Sequence, residues 1–389
     1  MFSEQLISTL KKIETPFYFY DTSLLQKTLF AIKDAADLFN YNLHYAIKAN
    51  ANKKILRLIS KHKFGADCVS GNEIEVAIDN GFSASKIVFA GVGKTDKEIN
   101  YAIQSNIFSF NCESVQELEV IDKIAKQNNK TVRVALRINP DINANTHQNI
   151  TTGLKTNKFG IPITDLQYII SQKHSFKNLN IEGLHFHIGS QITDLSVFAK
   201  LCIVVNEIYN HFQDKNFKLN HINLGGGLGI NYTKPENQIP DFLAYFKIFQ
   251  KNLNIPQNVK IHFEPGRSIV GQCGYLFTKA LFIKETNEQK TVIVDAGLTE
   301  LLRPALYQAS HKIINSSSFD IKEKYDIAGP ICETSDYFGK SIELSKTSRG
   351  DILSIYSVGA YGEVMASKYN LRSIAPKYFS DTLLQESFI

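Results

Sequence analysis

Eight short runs rich in β-branched and aromatic residues recur between about residues 40 and 265, most of them followed by a stretch with helical spacing of its apolar residues. No other feature restricts the fold so strongly. The runs fall at 43–48, 65–69, 87–90, 107–110, 132–139, 181–187, 221–224 and 260–263, with helices expected between them. Examples are 71–80, behind a Ser70 cap, and 113–128, where Ile, Leu and Val repeat at helical spacing. Such βα units build a parallel sheet that is either open and doubly wound or closed, and a count of eight over this span matches the closed alternative. The expectation is an α/β fold with a (β/α)8 TIM-like barrel over 21–265. Beyond about residue 266 the pattern changes to the strand-like runs YLFTKALFIKE, KTVIVDAG, YDIAGPICE and GDILSIYSVGAYG, which predict a second, β-rich domain over 266–389. The run ETPFYFY within 1–20 is expected to add a strand to that same domain.

Composition excludes several function classes. The chain has 389 residues, 43% hydrophobic and 21% charged, which fits a folded globular protein with a large core. A net charge of +5 is too dilute over this length for a nucleic-acid footprint. The start MFSEQLISTLKKIETPF lacks an apolar core followed by a cleavage site, and no stretch approaches eighteen uninterrupted apolar residues. A cytoplasmic location without a membrane partner is therefore expected. Cys68, Cys112, Cys202, Cys273 and Cys332 are scattered and odd in number, which predicts free thiols rather than disulfides or structural zinc.

In a barrel the chemistry sits where strands end in loops. The first strand ends in HYAIKAN, placing Lys48 at the mouth. It is either a strand-end cation reaching water or a desolvated amine of the kind that forms a Schiff base with a carbonyl. The sixth ends in HFHIGSQ, where His185 and His187 share a face at i and i+2. They are a metal pair or imidazoles packed on a ligand, and no third ligand with zinc spacing lies nearby, so no metal is expected. The seventh runs into NLGGGLG, where Gly225, Gly226 and Gly227 form either a tight turn or an anion cradle of backbone N–H groups. The eighth ends in HFEPGRS, bringing Glu264 and Arg267, as a salt bridge or as ligand contacts. An amine, an imidazole, an anion cradle and a carboxylate on one rim together suit pyridoxal phosphate: Lys48 holds the aldehyde, the glycines the phosphate, His187 the ring and Glu264 the pyridine nitrogen.

With these residues in view, the sequence resembles the fold-type III (alanine racemase-like) pyridoxal-phosphate decarboxylases, and among them the diaminopimelate decarboxylase family. The resemblance covers nearly the whole chain. Its motifs are YAIKAN, HFHIGSQ, GGGLG and EPGR, with TGLKTNKFGI at 152–161, VDAGLTELLRPALY at 294–307, GPICETSD at 329–336 and GAYGEVMASKYNLR at 359–372. It implies that Lys48 carries the cofactor, that Ser190, Gly226, Gly227, Glu264, Pro265, Gly266 and Arg267 contact it, and that Tyr361 lies between cofactor and substrate. Arg267, Arg303 and Tyr307 would bind the substrate's distal carboxylate, Glu333 its distal ammonium, and Cys332 would donate the proton. The resemblance further implies a homodimer in which Cys332 and Glu333 enter the neighbouring subunit's active site.

Departures from the family pattern are CETSD in the cysteine loop, Leu-Thr-Glu before LLRPALY, and GEVMASKYN after Tyr361, which adds Glu363 and Lys368. They bear on substrate tuning more than on reaction type. Rival readings are a decarboxylase of ornithine, arginine or a carboxylated polyamine, an amino-acid racemase, and a catalytically dead relative that binds a partner. A substrate without a distal carboxylate has no use for Arg303, and a racemase is expected to place a cation rather than Glu264 at the pyridine nitrogen. Arg303 itself lies in a run, LLRPALY, that reads as strand-like, and loops at 141–157 and 231–240 are long and polar.

Overall fold

Eight strands pair in parallel and in chain order, and the last lies beside the first, so the sheet closes into a barrel. They are Asn42–Ala46, Gly65–Cys68, Ile87–Phe89, Ser109–Cys112, Val132–Arg137, Leu179–His185, His221–Asn223 and Lys260–Phe263. The computed structural model describes residues 8–142, 158–236 and 238–386. Most of the motif at 152–161 and of the loop at 141–157, together with Asn237, therefore lies outside the described residues. Two compact units emerge: the barrel unit, Leu29–Gly229 with Asp241–Gly266, and a β-rich unit built from the N-terminal stretch through Thr28, from Ile230–Pro240, and from the chain after Gly266.

All eight runs are barrel strands, with shifts at their ends that have local causes. The fourth strand starts at Ser109 because Ile107 still closes the preceding helix through its N–H to Ala102 O (3.4 Å). The first stops at Ala46 and passes into a 3₁₀ turn, Ile47–Ala49, which carries Lys48. The helix expected over 113–128 begins at Val115, because the Ser114 side chain caps it by accepting from Glu117 N. Glu113 is thereby released to pair with the Arg137 guanidinium (2.5 Å) and to accept from Gly160 N (2.7 Å).

The barrel floor is polar. His44, His221 and His262 are buried there beside Phe108, which stacks on His44 and His262. Gly65 and Gly183 make room, since a Cβ on either would lie 2.5 Å from His44 Nδ1 or 2.2 Å from His221 Nε2. His44 Nδ1 lies 3.0 Å from Lys86 O, and a carbonyl only accepts, so Nδ1 carries the proton. Nε2 of a neutral His44 then accepts from His262 Nδ1 at 2.7 Å, which settles both tautomers.

In the β-rich unit, strands run in the order Ile313–Asn315, Ile352–Tyr356, Gly274–Glu285, Lys290–Val294, Lys322–Ala328, Tyr337–Ser345. The strand Phe17–Tyr20 pairs antiparallel with Gly274–Glu285 and parallel with Lys377–Phe379. Its side chains join Leu10, Tyr275, Phe277, Ile352 and Leu383 in a core where Phe17 and Phe277 stack at 5.0 Å. The LLRPALY run is not a strand: Arg303–Tyr307 is a short helix, because Pro304 suits the first helical turn, where its missing N–H is not needed. The described part of the 231–240 loop is tied down by Gln272 Nε2, which donates to Pro235 O (2.7 Å) and Gln238 O (2.9 Å).

Burial pushes His44 down to about 4 and His221 to about 3. Unfolded imidazoles titrate near 6.5, so below that pH the unfolded chain takes up protons that the folded floor refuses. Stability is thus fully present above pH 6.5 and falls as pH drops towards about 4, by about 3 kcal/mol for His44 alone. Thermal midpoints measured from pH 7 to 4.5 should decline, with a shallower slope for His44→Phe whatever its absolute stability; parallel slopes would clear the floor of responsibility.

Candidate active site

Glu264 follows the eighth strand directly and is buried. Asn111 Nδ2 and Asn223 Nδ2 donate to its Oε1 at 3.2 and 2.7 Å, and His185 Nε2 donates to its Oε2 at 3.1 Å. Burial alone would raise its pKa, but His185 and then Lys48 outweigh burial and hold the carboxyl well below the usual range. An anion thus stands at the strand ends, supported from the fourth, sixth and seventh strands.

Lys48 Nζ, on the turn after the first strand, donates to Asp67 Oδ2 at 3.0 Å. Asp67 is fully buried on the second strand, and its Oδ1 has no hydrogen-bond partner among the described residues. Burial and the neighbouring Glu264 raise the Asp67 carboxyl, while Lys48 opposes them. Glu73, which accepts from Val69 N at 2.7 Å, is pushed up to about 7 by burial.

The glycine loop has a geometry that side chains would block. Gly225 and Gly227 have φ of +68° and +108°, and a Cβ on Gly225, Gly226 or Gly227 would lie 2.4, 2.2 or 2.8 Å from the carbonyl oxygens of Phe186, Glu264 and Gly189. The N–H groups divide their work. Gly225 N donates to Asn223 Oδ1 (2.9 Å) and Gly226 N to His187 Nδ1 (3.2 Å), whereas Gly227 N–H has no acceptor among the described residues. Because Nδ1 of His187 accepts, its proton sits on Nε2 and the ring is neutral; burial, then Arg137, lowers its pKa well below the ordinary value. Ser190 precedes Gln191, whose φ is +61°. Pro265 O accepts from Ala46 N (3.1 Å), and Gly266 packs so closely that a Cβ would lie 3.0 Å from Ala49 Cβ, which fastens the eighth strand's end to the turn of Lys48.

In the β-rich unit, Arg267 Nη1 donates to Tyr232 Oη (2.6 Å), and its guanidinium lies 4.8 Å from the Tyr361 ring. Arg303 is buried with its guanidinium 4.6 Å from the Tyr232 ring, and its Nη1 lies 2.7 Å from His311 Nε2. Burial lowers the pKa of both arginines and Tyr232 opposes it. At Arg267 Tyr232 and Tyr361 prevail and raise it, at Arg303 burial prevails and lowers it, and Tyr307, at the end of the Arg303 helix, adds only a smaller rise to each. Tyr361 has φ of +58°, a left-handed backbone uncommon for an aromatic residue.

Cys332 is the exposed thiol; Cys68, Cys112, Cys202 and Cys273 are buried. The buried Asp336 shapes its loop, Oδ2 accepting from Ile331 N (2.8 Å) and Oδ1 from Leu298 N (2.6 Å). Beyond it, Cys332 N donates to Asn370 Oδ1 (3.3 Å), and Glu333 Oε1 accepts from Tyr369 Oη (2.5 Å). Among the described residues no hydrogen bond joins Cys332 or Glu333 to Arg267, Arg303 or Tyr361.

Sequence reasoning passed over Asp67, Asn111 and Asn223. Asp67 carried a signal, a carboxylate inside an otherwise apolar strand run, whereas Asn111 and Asn223 share their strands with the polar Ser109 and His221. Tyr232 and His311 carried none, being ordinary loop residues until the fold places them beside Arg303.

The sequence profile of the family described as "Pyridoxal-dependent decarboxylase, pyridoxal binding domain" matches residues 24–271. The chain is 51% identical over 380 residues to a diaminopimelate decarboxylase of Bacteroides thetaiotaomicron, covering 97% of this chain and 98% of that protein. It is 40% identical over 362 residues to the diaminopimelate decarboxylase of Aquifex aeolicus, covering 92% and 84%. The crystal structure of Helicobacter pylori diaminopimelate decarboxylase complexed with L-lysine is similar at a TM-score of 0.90 and 35% identity, over 98% and 99% of the two chains.

The glycine geometry yields a direct check. Gly226→Ala should lower stability by about 2 kcal/mol or more, because its Cβ meets a backbone carbonyl that cannot swing away. Gly93→Ala, with nothing within 4 Å of its new methyl, should leave the thermal midpoint unchanged.

Proposed function

The chain belongs to the pyridoxal-dependent decarboxylase family and, within it, to the diaminopimelate decarboxylases; from that premise we propose that it converts meso-2,6-diaminopimelate to L-lysine and CO2, the last step of lysine biosynthesis. Pyridoxal phosphate is the cofactor. The observation that carries the reading is the Glu264 carboxylate, kept anionic by three donors. The other residues fit the group as well: an amine on Asp67, a neutral imidazole, and a glycine cradle that any Cβ would fill.

Bound pyridoxal phosphate supplies the electron sink that takes up the bonding pair as CO2 departs. Glu264 keeps the pyridine nitrogen protonated, which a racemase-type cation would not do. Lys48 is the covalent anchor, and Asp67 Oδ2 holds or takes a proton at Lys48 Nζ. His187 would pack on the cofactor ring. Ser190, Gly227 and the Gly266–Arg267 turn serve the phosphate, whereas Gly226 contributes space, its N–H being directed to His187. Arg267, Arg303 and Tyr307 would receive the distal carboxylate, Glu333 the distal ammonium, and Tyr361 would contact both cofactor and substrate. Each such charged contact left unpaired by lysine or ornithine would cost about 1–3 kcal/mol, which supports selection for a substrate charged at both ends.

A homodimer completes the reading. Cys332 and Glu333 are exposed and hydrogen-bond to Asn370 and Tyr369, in a segment that carries the exposed apolar side chains Tyr369, Leu371 and Ile374. This is the composition of a surface that another subunit covers. In that assembly Cys332 Sγ donates the proton that replaces CO2 on the substrate carbon. A cytoplasmic site of action suits a small-molecule enzyme of this kind; among the described residues no helix is long and apolar enough to cross a membrane.

The purified protein should show a cofactor absorbance that Lys48→Ala abolishes, and CO2 release should be greatest with meso-diaminopimelate among L-lysine, L-ornithine and carboxynorspermidine. Turnover of another of these without diaminopimelate turnover would defeat the substrate assignment. Cys332→Ala should retain the absorbance and lose most of the turnover, about 100-fold by the usual weight of a positioned proton donor. An unchanged rate would take Cys332 out of the chemistry.

A further inference from the structure

Arg303 is a buried cation with no carboxylate partner among the described residues; its hydrogen bond there goes to a histidine. His311 Nε2 lies 2.7 Å from Arg303 Nη1, and His311 Nδ1 lies 2.8 Å from Tyr356 O. Both side chains are about 95% buried, at 4% and 5% exposure. A carbonyl accepts, so His311 Nδ1–H donates to it. A guanidinium only donates, so His311 Nε2 must present a lone pair. A single form satisfies both neighbours, the neutral imidazole with its proton on Nδ1.

The tautomer is set by the sheet. Ile313 pairs with Ile355, and Tyr356 N donates to Lys312 O at 2.9 Å, so the strand register fixes where the Tyr356 carbonyl points. The Tyr232 ring packs edge-on against His311 at 4.9 Å while its face lies 4.6 Å from the Arg303 guanidinium. Burial, then Arg303, pushes His311 down to about 3, which keeps the ring neutral through the working range.

We propose that His311 is a specificity-determining positioning residue: it orients Arg303 through a neutral acceptor and leaves the arginine's whole charge for the distal carboxylate of the substrate. A carboxylate at this position would orient Arg303 equally well but would neutralise it. Arg303 Nε, without an acceptor among the described residues, and the remaining Nη donors stay available for a carboxylate, which a guanidinium takes in bidentate fashion. The inference rests on the reading that Arg303 meets that carboxylate.

Three variants test it in the full-length enzyme loaded with cofactor. KM for meso-diaminopimelate is compared with the competitive Ki of cadaverine (1,5-diaminopentane), which keeps both amines and has no carboxylate at either end. His311→Leu removes the acceptor and should raise KM about 10-fold or more, with kcat and the Ki of cadaverine within about 3-fold of wild type. His311→Glu keeps an acceptor but discharges Arg303, and should raise KM similarly. His311→Gln, a neutral acceptor, should stay within about 3-fold of wild type. An unchanged KM in the Leu variant, or KM and Ki rising together, overturns the proposal. If the Leu variant does not fold, the other two decide, and equal KM values for Glu and Gln overturn it. Absence of CO2 release from diaminopimelate by the wild type would instead defeat the functional reading beneath it.

Discussion

A buried carboxylate, Glu264, organises the barrel. An ionised group taken out of water is tolerated only when donors replace its hydration, and here Asn111, His185 and Asn223 do so. Each donor stands on a different strand, so the anion exists only when the fourth, sixth and seventh strands end in register beside the eighth. The same requirement explains why Asn223 has two tasks. Its Nδ2 serves Glu264 and its Oδ1 holds Gly225 N–H, so the carboxylate and the start of the glycine turn share one side chain.

Neutral histidines recur wherever a buried donor needs an acceptor without a charge. His187 accepts from Gly226 N–H, His44 accepts from His262, and His311 faces the Arg303 guanidinium. At His44 and His311 a backbone carbonyl on the far side of the ring selects the tautomer. Aspartate in these places would add buried negative charge. At the barrel floor it would repel Glu264, and beside Arg303 it would cancel the cation. Where negative charge is used, as at Asp67 against Lys48 and Glu113 against Arg137, a cation is paired directly with it.

The strand ends were legible because their chemistry conflicts with their setting. Lys48, His187 and Glu264 interrupt or close apolar runs, and a charged or polar side chain there needs a reason. Asp67, Asn111 and Asn223 carried the same signal more faintly, because their strands are only four and three residues long and those of Asn111 and Asn223 hold a second polar residue, Ser109 and His221. The Arg303 segment was misleading, since apolar residues around RPALY resemble a strand until the proline's preference for a first helical turn is given its weight. Tyr232 and His311 were silent. They lie 71 and 8 residues from Arg303 along the chain and meet it only through the fold.

The alternation of runs, read at periods of two and 3.6, by itself determined the barrel, because eight consecutive βα units leave few other ways to bury their apolar faces. It determined the residue types at the strand ends too, and hence the class of chemistry they support. Tertiary structure alone decided which of those groups carry charge. Whether Glu264 is ionised and His187 and His311 are neutral depends on a few hydrogen bonds of about 3 Å between residues far apart in sequence, and on the exclusion of water around them. Those distances are products of packing and register, which no local pattern records.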